Sequence, residues 1–329
     1  MLRRERTSYK AATYVVGVGN GGITAVNQLF ERGVYGVNYI VMDADAESLA
    51  GSRAGRRIQV REGETGARRL QAMLDRPDLV FIVGGLGGHT GTRLAPVVAA
   101  AAREQGALAL AIVTLPFAFE GPHRATTAQI GAARLKEVVH TLITIPNDRL
   151  LELAGDELPF NQTYQLAQEV WYQSIQGIHS LVNVPGLVNV DFADVKTIMA
   201  GGGPAVITRG RAQGPGRAHE AALQATRSDL LGITIDGARG VLFNVSAGPE
   251  MTLDEVREAA SVIGKRAHPD ANLIFGTATD FTLGDELEIT VIATGCGIPA
   301  PHVMTAAREP GKFAIHPQGV GLELPVWQG

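Results

Sequence analysis

Two glycine-rich turns and one pair of aspartates carry most of the chemistry legible in this chain. GVGNGG, with Gly17, Gly19 and Gly22, joins the apolar run TYVV to ITAVNQLF. Asp43 ends the next apolar run about 20 residues on, roughly the spacing at which a dinucleotide site places its ribose-binding acid. GGLGGHTGTR, residues 84–93, lies between LVFIV and LAPVVAAAA and repeats the strand, glycine turn and helix layout. Such turns let backbone N–H groups converge on a phosphate, although glycines also serve simply to close a tight strand-to-helix turn. In NVDFADVKT, Asp191 and Asp194 stand three apart and share one side of a helix start. Two carboxylates so placed can orient and polarise a water for attack on a terminal phosphate. Equally, Asp191 can cap the helix and Asp194 can complement its N-terminal dipole.

These residues need elements to hold them, and the pattern supplies them. TYVVGVG, VNYIVMDAD, RRIQV, DLVFIVGG, ALALAIVTLPF and TLITIPN read as strands. Helical spacings fall between them, in GGITAVNQLFERG, ARRLQAML, APVVAAAAREQG and ATTAQIGAARLKEVV. Alternation of this kind predicts an α/β fold with a parallel, doubly wound, Rossmann-like sheet. ELAGDELPFNQ then leads into TYQLAQEVWYQSIQGIHSLV, a long helix able to bridge two domains. Glycine is dense across GGGPAVITRGRAQGPGRA, to which no element is assigned. GARGVLFNVSAG, LDEVREAASVIGKRA, ANLIFGTATD and ELEITVIATG predict a smaller α+β domain. The expected organisation is residues 1–160, a bridging helix at 161–183, the smaller domain at 184–297 and a Pro/Gly-rich tail at 298–329.

The bulk numbers narrow the function classes. The 329 residues include 45% hydrophobic types and 40 glycines, enough for real cores with tight turns. A net charge of −4 gives no basic footprint for nucleic acid. A single cysteine, Cys296, suits a reducing compartment rather than a disulfide framework. No signal-peptide core follows the basic N-terminus, and LALAIVTLPFAF is too short to span a bilayer. The expectation is a cytoplasmic protein with no direct membrane insertion.

GLGGHTGTR resembles the tubulin signature GGGTG[ST]G, and its flanks resemble FtsZ, the bacterial tubulin homologue. GVGNGGITAVN, VTLPFAFEG, LITIPNDRLLEL, VPGLVNVDFADVKTIM, IDGARGVLFNVSAG and ELEITVIATG run in family order from about Tyr14 to Gly295. The resemblance implies a tubulin/FtsZ fold that binds GTP or GDP, with Mg or K ion as an accessory, and hydrolyses GTP between subunits. It implies phosphate contacts from Asn20, Gly21 and Gly22, and a second cradle of Gly87, Gly88, His89, Thr90, Gly91 and Thr92. Glu120 and Arg124 match the ribose region, and Asn147 the sugar–base side. Tyr164 falls where the family stacks a ring on guanine, or it packs in the core. Glu169 falls where the family's aspartate reads the guanine N–H edge. Asp191, Asp194 and Asn189 match the loop inserted into the next subunit's site, implying a head-to-tail filament of the chain with itself.

Four departures bear on activity. His89 and Arg93 replace glycines of the signature; they can supply charge to phosphates, strain the turn, or fill the site. Ile23 and Thr24 replace glycine and asparagine, which is expected to reduce room and remove an amide. VREGETGARRL joins the third strand directly to a helix where the family has a long loop over the γ-phosphate. Leu115 replaces a lysine near the pocket.

LELPVWQG resembles the family's terminal peptide, with Glu323, Pro325 and Trp327 as counterparts that would bind a membrane-tethering division protein; Trp327 can instead pack on its own domain. Three functions are thus weighed. The first is a self-assembling, weakly hydrolysing GTP-binding protein of cell division, located at the division site. The second is a nucleotide-indifferent paralogue that assembles alone or modulates a standard FtsZ. The third is a dinucleotide-dependent oxidoreductase using GVGNGG alone.

Overall fold

A computed structural model describes residues 10–154, 160–183, 188, 190–200, 205–228 and 233–296, with helix residues 151–154 and 160–166 described by backbone alone. Six strands form the first sheet: β1 (Thr13–Val18), β2 (Val37–Asp43), β3 (Arg56–Gln59), β4 (Leu79–Gly85), β5 (Leu108–Leu115) and β6 (Thr141–Pro146). They lie in the order β3-β2-β1-β4-β5-β6, all parallel. The helices between them are α1 (Gly19–Glu31), α2 (Ala46–Ala50), α3 (Ala67–Met73), α4 (His89–Glu104) and α5 (Pro122–Val138). The expected doubly wound sheet is present, with its order reversing between β1 and β4.

Alternation along the strands explains the burial on both faces. Val15, Val41, Phe81, Leu110 and Ile112 point to one face, while Val16, Ile40, Met42, Val80 and Ile82 point to the other. Strands so covered read as continuous apolar runs. The first face continues into α6 (Asn147–Ala154), α7 (Phe160–Asn183), α8 (Phe192–Ala200) and the second sheet, forming one connected core.

That second sheet contains β7 (Ala205–Gln213), β10 (Gly240–Ala247), β11 (Asn272–Thr279) and β12 (Glu286–Thr294), ordered β11-β10-β12-β7. A short pair, β8 (Arg227–Ser228) and β9 (Ile233–Thr234), and helices α9 (Arg217–Ala225) and α10 (Leu253–Arg266) accompany it. β10 and β11 are parallel, and the other pairings are antiparallel. Here the sequence reading fell short: the glycine-dense stretch contains β7 and the approach to α9. Gly210 sits mid-strand because α9 packs directly on it, and a Cβ there would meet the Ala221 carbonyl oxygen at 1.9 Å. Glycine in this strand marks a close backbone approach rather than a loop. Among the described residues no helix is long and apolar enough to cross a membrane. The segment carrying Glu323, Pro325 and Trp327 lies outside the described residues.

α7 ties the two sheets together. Trp171 donates its indole N–H to the Ile112 carbonyl at 3.0 Å, in the middle of β5. Near the other end of the helix, His179 Nδ1 lies 3.0 Å from Asn183 Nδ2, and its ring also bonds the Tyr35 backbone. Burial pushes the His179 pKa below the ordinary 6.5, against the Tyr35 bond that raises it. His140 is also lowered, by burial first and then by Arg103 and Lys196, while its Nδ1 accepts from Ala109 N at 3.0 Å. Folded pKa values below the unfolded ones mean that the unfolded chain takes up more protons in mild acid. The stabilisation is complete above pH 6.5 and is lost as pH falls below it. Thermal unfolding followed by circular dichroism should hold a level midpoint from pH 8 to 7 and a falling one from about 6.5 downward. His179→Gln should flatten part of that slope.

Candidate nucleotide site

Because all six strands of the first sheet run parallel, every loop after a strand's C-terminal end opens on the same edge. Four of those loops carry the predicted ligands. α1 begins at Gly19, directly after β1, and α4 begins at His89, just after β4. β1 and β4 are neighbours, so the two helix N-termini lie side by side, close enough that a Cβ on Gly19 would sit 3.3 Å from Gly91 N. Neither N-terminus has a side-chain cap or an acidic residue in its first turn. α2 and α10, in contrast, are capped by Asp45 and by Thr252 with Glu255. Uncapped N–H groups and two aligned helix dipoles favour an anion at this point.

The cradle exists because backbones touch there. A Cβ on Gly22 would meet the Gly17 carbonyl carbon and the Val83 oxygen, each at 2.6 Å, and one on Gly91 would meet the Gly85 oxygen at 2.2 Å. Gly87 takes φ +98 and donates its N–H to Thr92 Oγ1 at 2.9 Å, which fixes the second turn. Gly21 is half-buried, Asn20 and Gly88 are exposed, and Thr90 and Thr92 are half-buried.

The loops after β5 and β6 complete the rim. Glu120 accepts from Phe117 N at 2.9 Å and pairs with Arg124. The Arg124 carbonyl oxygen lies 3.0 Å from where a Cβ on Gly87 would stand, so this loop abuts the second turn. Asp148 holds Ala118 N at 2.9 Å, and its neighbour Asn147 is buried with Oδ1 lacking a partner among the described residues. An orphaned buried acceptor costs free energy, and a sugar hydroxyl or base N–H would satisfy it. Uncapped helix ends, a cradle that a Cβ would fill and this orphaned amide oxygen together fit a nucleotide.

Asp191 and Asp194 stand elsewhere. α8 is held by Thr141 Oγ1, which donates to the Met199 carbonyl at 3.0 Å, and by Lys196 Nζ, 3.4 Å from the Gly106 carbonyl. Thr141 opens β6 and Gly106 precedes β5, so α8 packs at the N-terminal edge of the sheet. A six-residue strand such as β1 spans about 20 Å, which separates this edge from the glycine turns. Asp191 Oδ1 accepts from Ala193 N at 3.2 Å, so it does cap the helix, while remaining exposed. Asn189 lies outside the described residues.

Comparison with known proteins decides the lineage. The family model of the Tubulin/FtsZ GTPase domain matches residues 64–155, and that of the FtsZ family C-terminal domain matches residues 203–297. An empty FtsZ dimer of M. jannaschii is 36% identical, covers 88% of this chain and 89% of its own, and superposes with a TM-score of 0.79. The chain belongs to the tubulin/FtsZ family. CetZ1 from Haloferax volcanii, a GDP-bound monomer, shares the fold at 17% identity and TM-score 0.71, over 87% of this chain and 94% of its own.

Within an FtsZ-type frame, the departures resolve differently from expectation. His89 neither strains nor fills the turn. It is exposed at the first position of α4 with ordinary φ, because the left-handed residue of this turn is Gly87. Arg93 turns to the short connection that replaces the γ-phosphate loop, donating from Nη1 to the Glu64 carbonyl at 2.8 Å. Ile23 does not crowd the site: it faces the sheet and is 5% exposed in the core, while Thr24 is exposed and donates to the Asn20 carbonyl. Leu115 packs partly buried against the α4 side of the sheet. Asp43, the ribose acid of the dinucleotide reading, is buried and uses Oδ1 on Ala44 N and Asp45 N.

Glu169 does not join the other ligands. Its Oε2 pairs with Arg32 at 2.5 Å, at the C-terminal end of α1, and its Oε1 accepts from Gln173 at 2.9 Å. The preceding residue, Gln168, faces α1 and accepts from Gln28 Nε2. Helical period gives the signal that was missed: positions 164 and 168 share a face, whereas 169 is turned well away from 164. The side chain of Tyr164 lies outside the described residues.

The cradle's steric basis predicts a sharp contrast. Gly91→Ala must displace the Gly85 carbonyl and should cost about 1–3 kcal/mol in urea unfolding. Gly88→Ala meets nothing within 4 Å and should stay within about 0.5 kcal/mol of wild type.

Proposed function

We propose that this chain binds GTP and GDP at the two glycine turns, associates head to tail with further copies of itself, and turns GTP over slowly in a role in cell division. The observation that carries the reading is the polarity of the molecule. Two uncapped helix N-termini sit at one edge of the sheet, while Asp191 and Asp194 sit at the other, beyond reach of their own chain's cradle. The aspartates can meet a bound nucleotide only on a neighbouring copy. Phosphates held by Asn20–Gly22 and by Gly87–Thr92, with Glu120, Arg124 and Asn147 toward the sugar, give the ligand one orientation. Among the described residues no group of three or more His, Cys, Asp or Glu is placed to hold a metal ion, so an accessory Mg or K ion would depend on the phosphates for most of its ligands. Partners beyond the chain itself, a standard FtsZ or a tethering protein on the tail, belong to this proposal as well.

Slow turnover follows from what surrounds the second turn. Phosphoryl transfer is accelerated chiefly by positioning and by charge stabilisation around the transferred group. Here residues 61–65 form a short exposed connection tied down by Arg93, and Leu115 brings no charge. The same tie favours a second reading, in which the chain assembles without regard to nucleotide.

Nucleotide-stripped protein should bind GDP in calorimetry and release phosphate from GTP at a rate well below that of a standard FtsZ assayed alongside. Rapid, concentration-dependent release would overturn the catalytic part. Replacing Asp191 and Asp194 together by Arg should abolish sedimentable polymer and filaments in electron microscopy, while the chain still folds cooperatively, with a midpoint lowered only as far as losing the α8 cap requires, about 0.5–2 kcal/mol. Wild-type protein that remains monomeric with and without GTP, and does not enter filaments of a standard FtsZ, would overturn the assembly part.

A further inference from the structure

One flank of the first sheet concentrates positive charge that the nucleotide site does not use. Residues 53–69 hold six arginines, no lysine and two acids, a net +4 in a chain whose total is −4. All six arginines are exposed. β3 lies at the edge of its sheet, and the arginines wrap that edge. Arg56 reaches the Met73 carbonyl on the α3 side, and Arg57 the Ser52 carbonyl on the α2 side. Arg61 follows the strand, and Arg68 is on α3, turned away from the buried Leu70.

This charge is left unbalanced. Arg53 pairs with Glu31 at 3.0 Å, and Arg69 with Glu64 at 2.8 Å, which uses one of the segment's two acids. Among the described residues Arg56, Arg57, Arg61 and Arg68 have no ion pair. The carbonyls that hold Arg56 and Arg57 fix each guanidinium without cancelling its charge. On the second sheet, in contrast, Arg209, Arg211 and Arg217 each meet a glutamate. Like charges gathered without counter-charges repel one another, and an external anion relieves that repulsion. Charge on β3 alone would serve to blunt an edge strand, but Arg61 and Arg68 lie off the strand.

The shape of the patch selects the anion. Residues 53–69 contain no aromatic ring on which a base could stack, and the seven-residue α3 is a short face for a DNA groove. Ala54, Ile58 and Val60 are buried, so contact with a bilayer would stop at the headgroups. The patch also lies between the edge that carries the glycine turns and the edge that carries the aspartates. In a head-to-tail filament this flank recurs at every subunit. Each basic residue near an anionic bilayer strengthens binding about fivefold, and weak sites repeated along a polymer bind together.

Resting on the proposed head-to-tail assembly, we propose that the β3–α3 flank is a docking surface for an anionic lipid bilayer, bound peripherally through its phosphate headgroups.

Flotation of the full chain with vesicles, alongside sedimentation of the polymer without them, tests this. Vesicles of mixed phosphatidylglycerol and phosphatidylcholine should recover about tenfold more protein than phosphatidylcholine alone. That binding should vanish between about 0.1 and 1 M salt, as the screening length falls from about 10 to 3 Å. Arg61→Glu with Arg68→Glu should weaken vesicle binding about twentyfold or more, whereas Arg61→Lys with Arg68→Lys should stay within about threefold of wild type. Neither arginine has a bond among the described residues, so both double variants should unfold near the wild-type midpoint. Equal binding to neutral vesicles, indifference to salt or to the glutamate variant, or a preference for an RNA or DNA oligonucleotide over the vesicles would overturn the inference. Polymer that forms but ignores anionic vesicles overturns it and spares the proposed function; a chain that neither assembles nor binds vesicles defeats both.

Discussion

The contact on which this molecule depends is backbone against backbone, where α1 and α4 begin over β1 and β4. Gly17 and Gly22 let the first helix meet its strand, and Gly85 and Gly91 do the same for the second. Without side chains between them, both helix N-termini come within a few ångströms of each other at the point where the strand order reverses. Parallel sheets bind ligands in this crevice because it gathers strand ends and helix dipoles together. Close packing there leaves no room for a methyl group, so the anion cradle and the stability of the sheet are one steric fact.

α7 converts that local arrangement into a molecule with two distinct ends. One side of the helix meets α1 through Gln168 and Glu169, and its middle is fixed to β5 by Trp171. Further along, a Cβ on Gly177 would lie 2.9 Å from Thr290 of the second sheet, and Asn183 reaches Thr13 at the opposite edge. Among the described residues of this path, Asn183 Oδ1 is buried without a partner and lies beside the buried His179. A strut so bonded places the aspartate loop and the glycine turns a full strand length apart. That separation puts Asp191 and Asp194 out of reach of the glycine turns of their own chain.

The departures from the family pattern share a physical theme. Groups that stood near the phosphates in expectation are turned to structural work: Ile23 to the core, Leu115 to the sheet, and Arg93 to the short connection after β3. The cradle's backbone remains, while the charge and cover around a terminal phosphate do not. What remains are uncapped N–H groups and helix dipoles, which favour a diphosphate as well as a triphosphate.

Local rules were enough for much of this. Apolar runs bounded by glycine fixed the six strands, their alternation with helices fixed the parallel sheet, and irregular motifs such as PNDRLLEL and NVDFADVKT carried the family. What failed in the sequence were judgements of direction and proximity. Its density of glycine leaves GGGPAVITRGRAQGPGRA without an assigned element, yet Gly210 is in a strand, and α9, from a neighbouring segment, lies on it. Ile23 looked like an obstruction and Glu169 like a base reader, but which way a helical residue points depends on what packs around its helix. Periodicity fixes which residues share a face. Only the tertiary structure decides which face meets the sheet, which meets α1 and which meets solvent, because that choice is settled by burial summed over elements far apart in the chain.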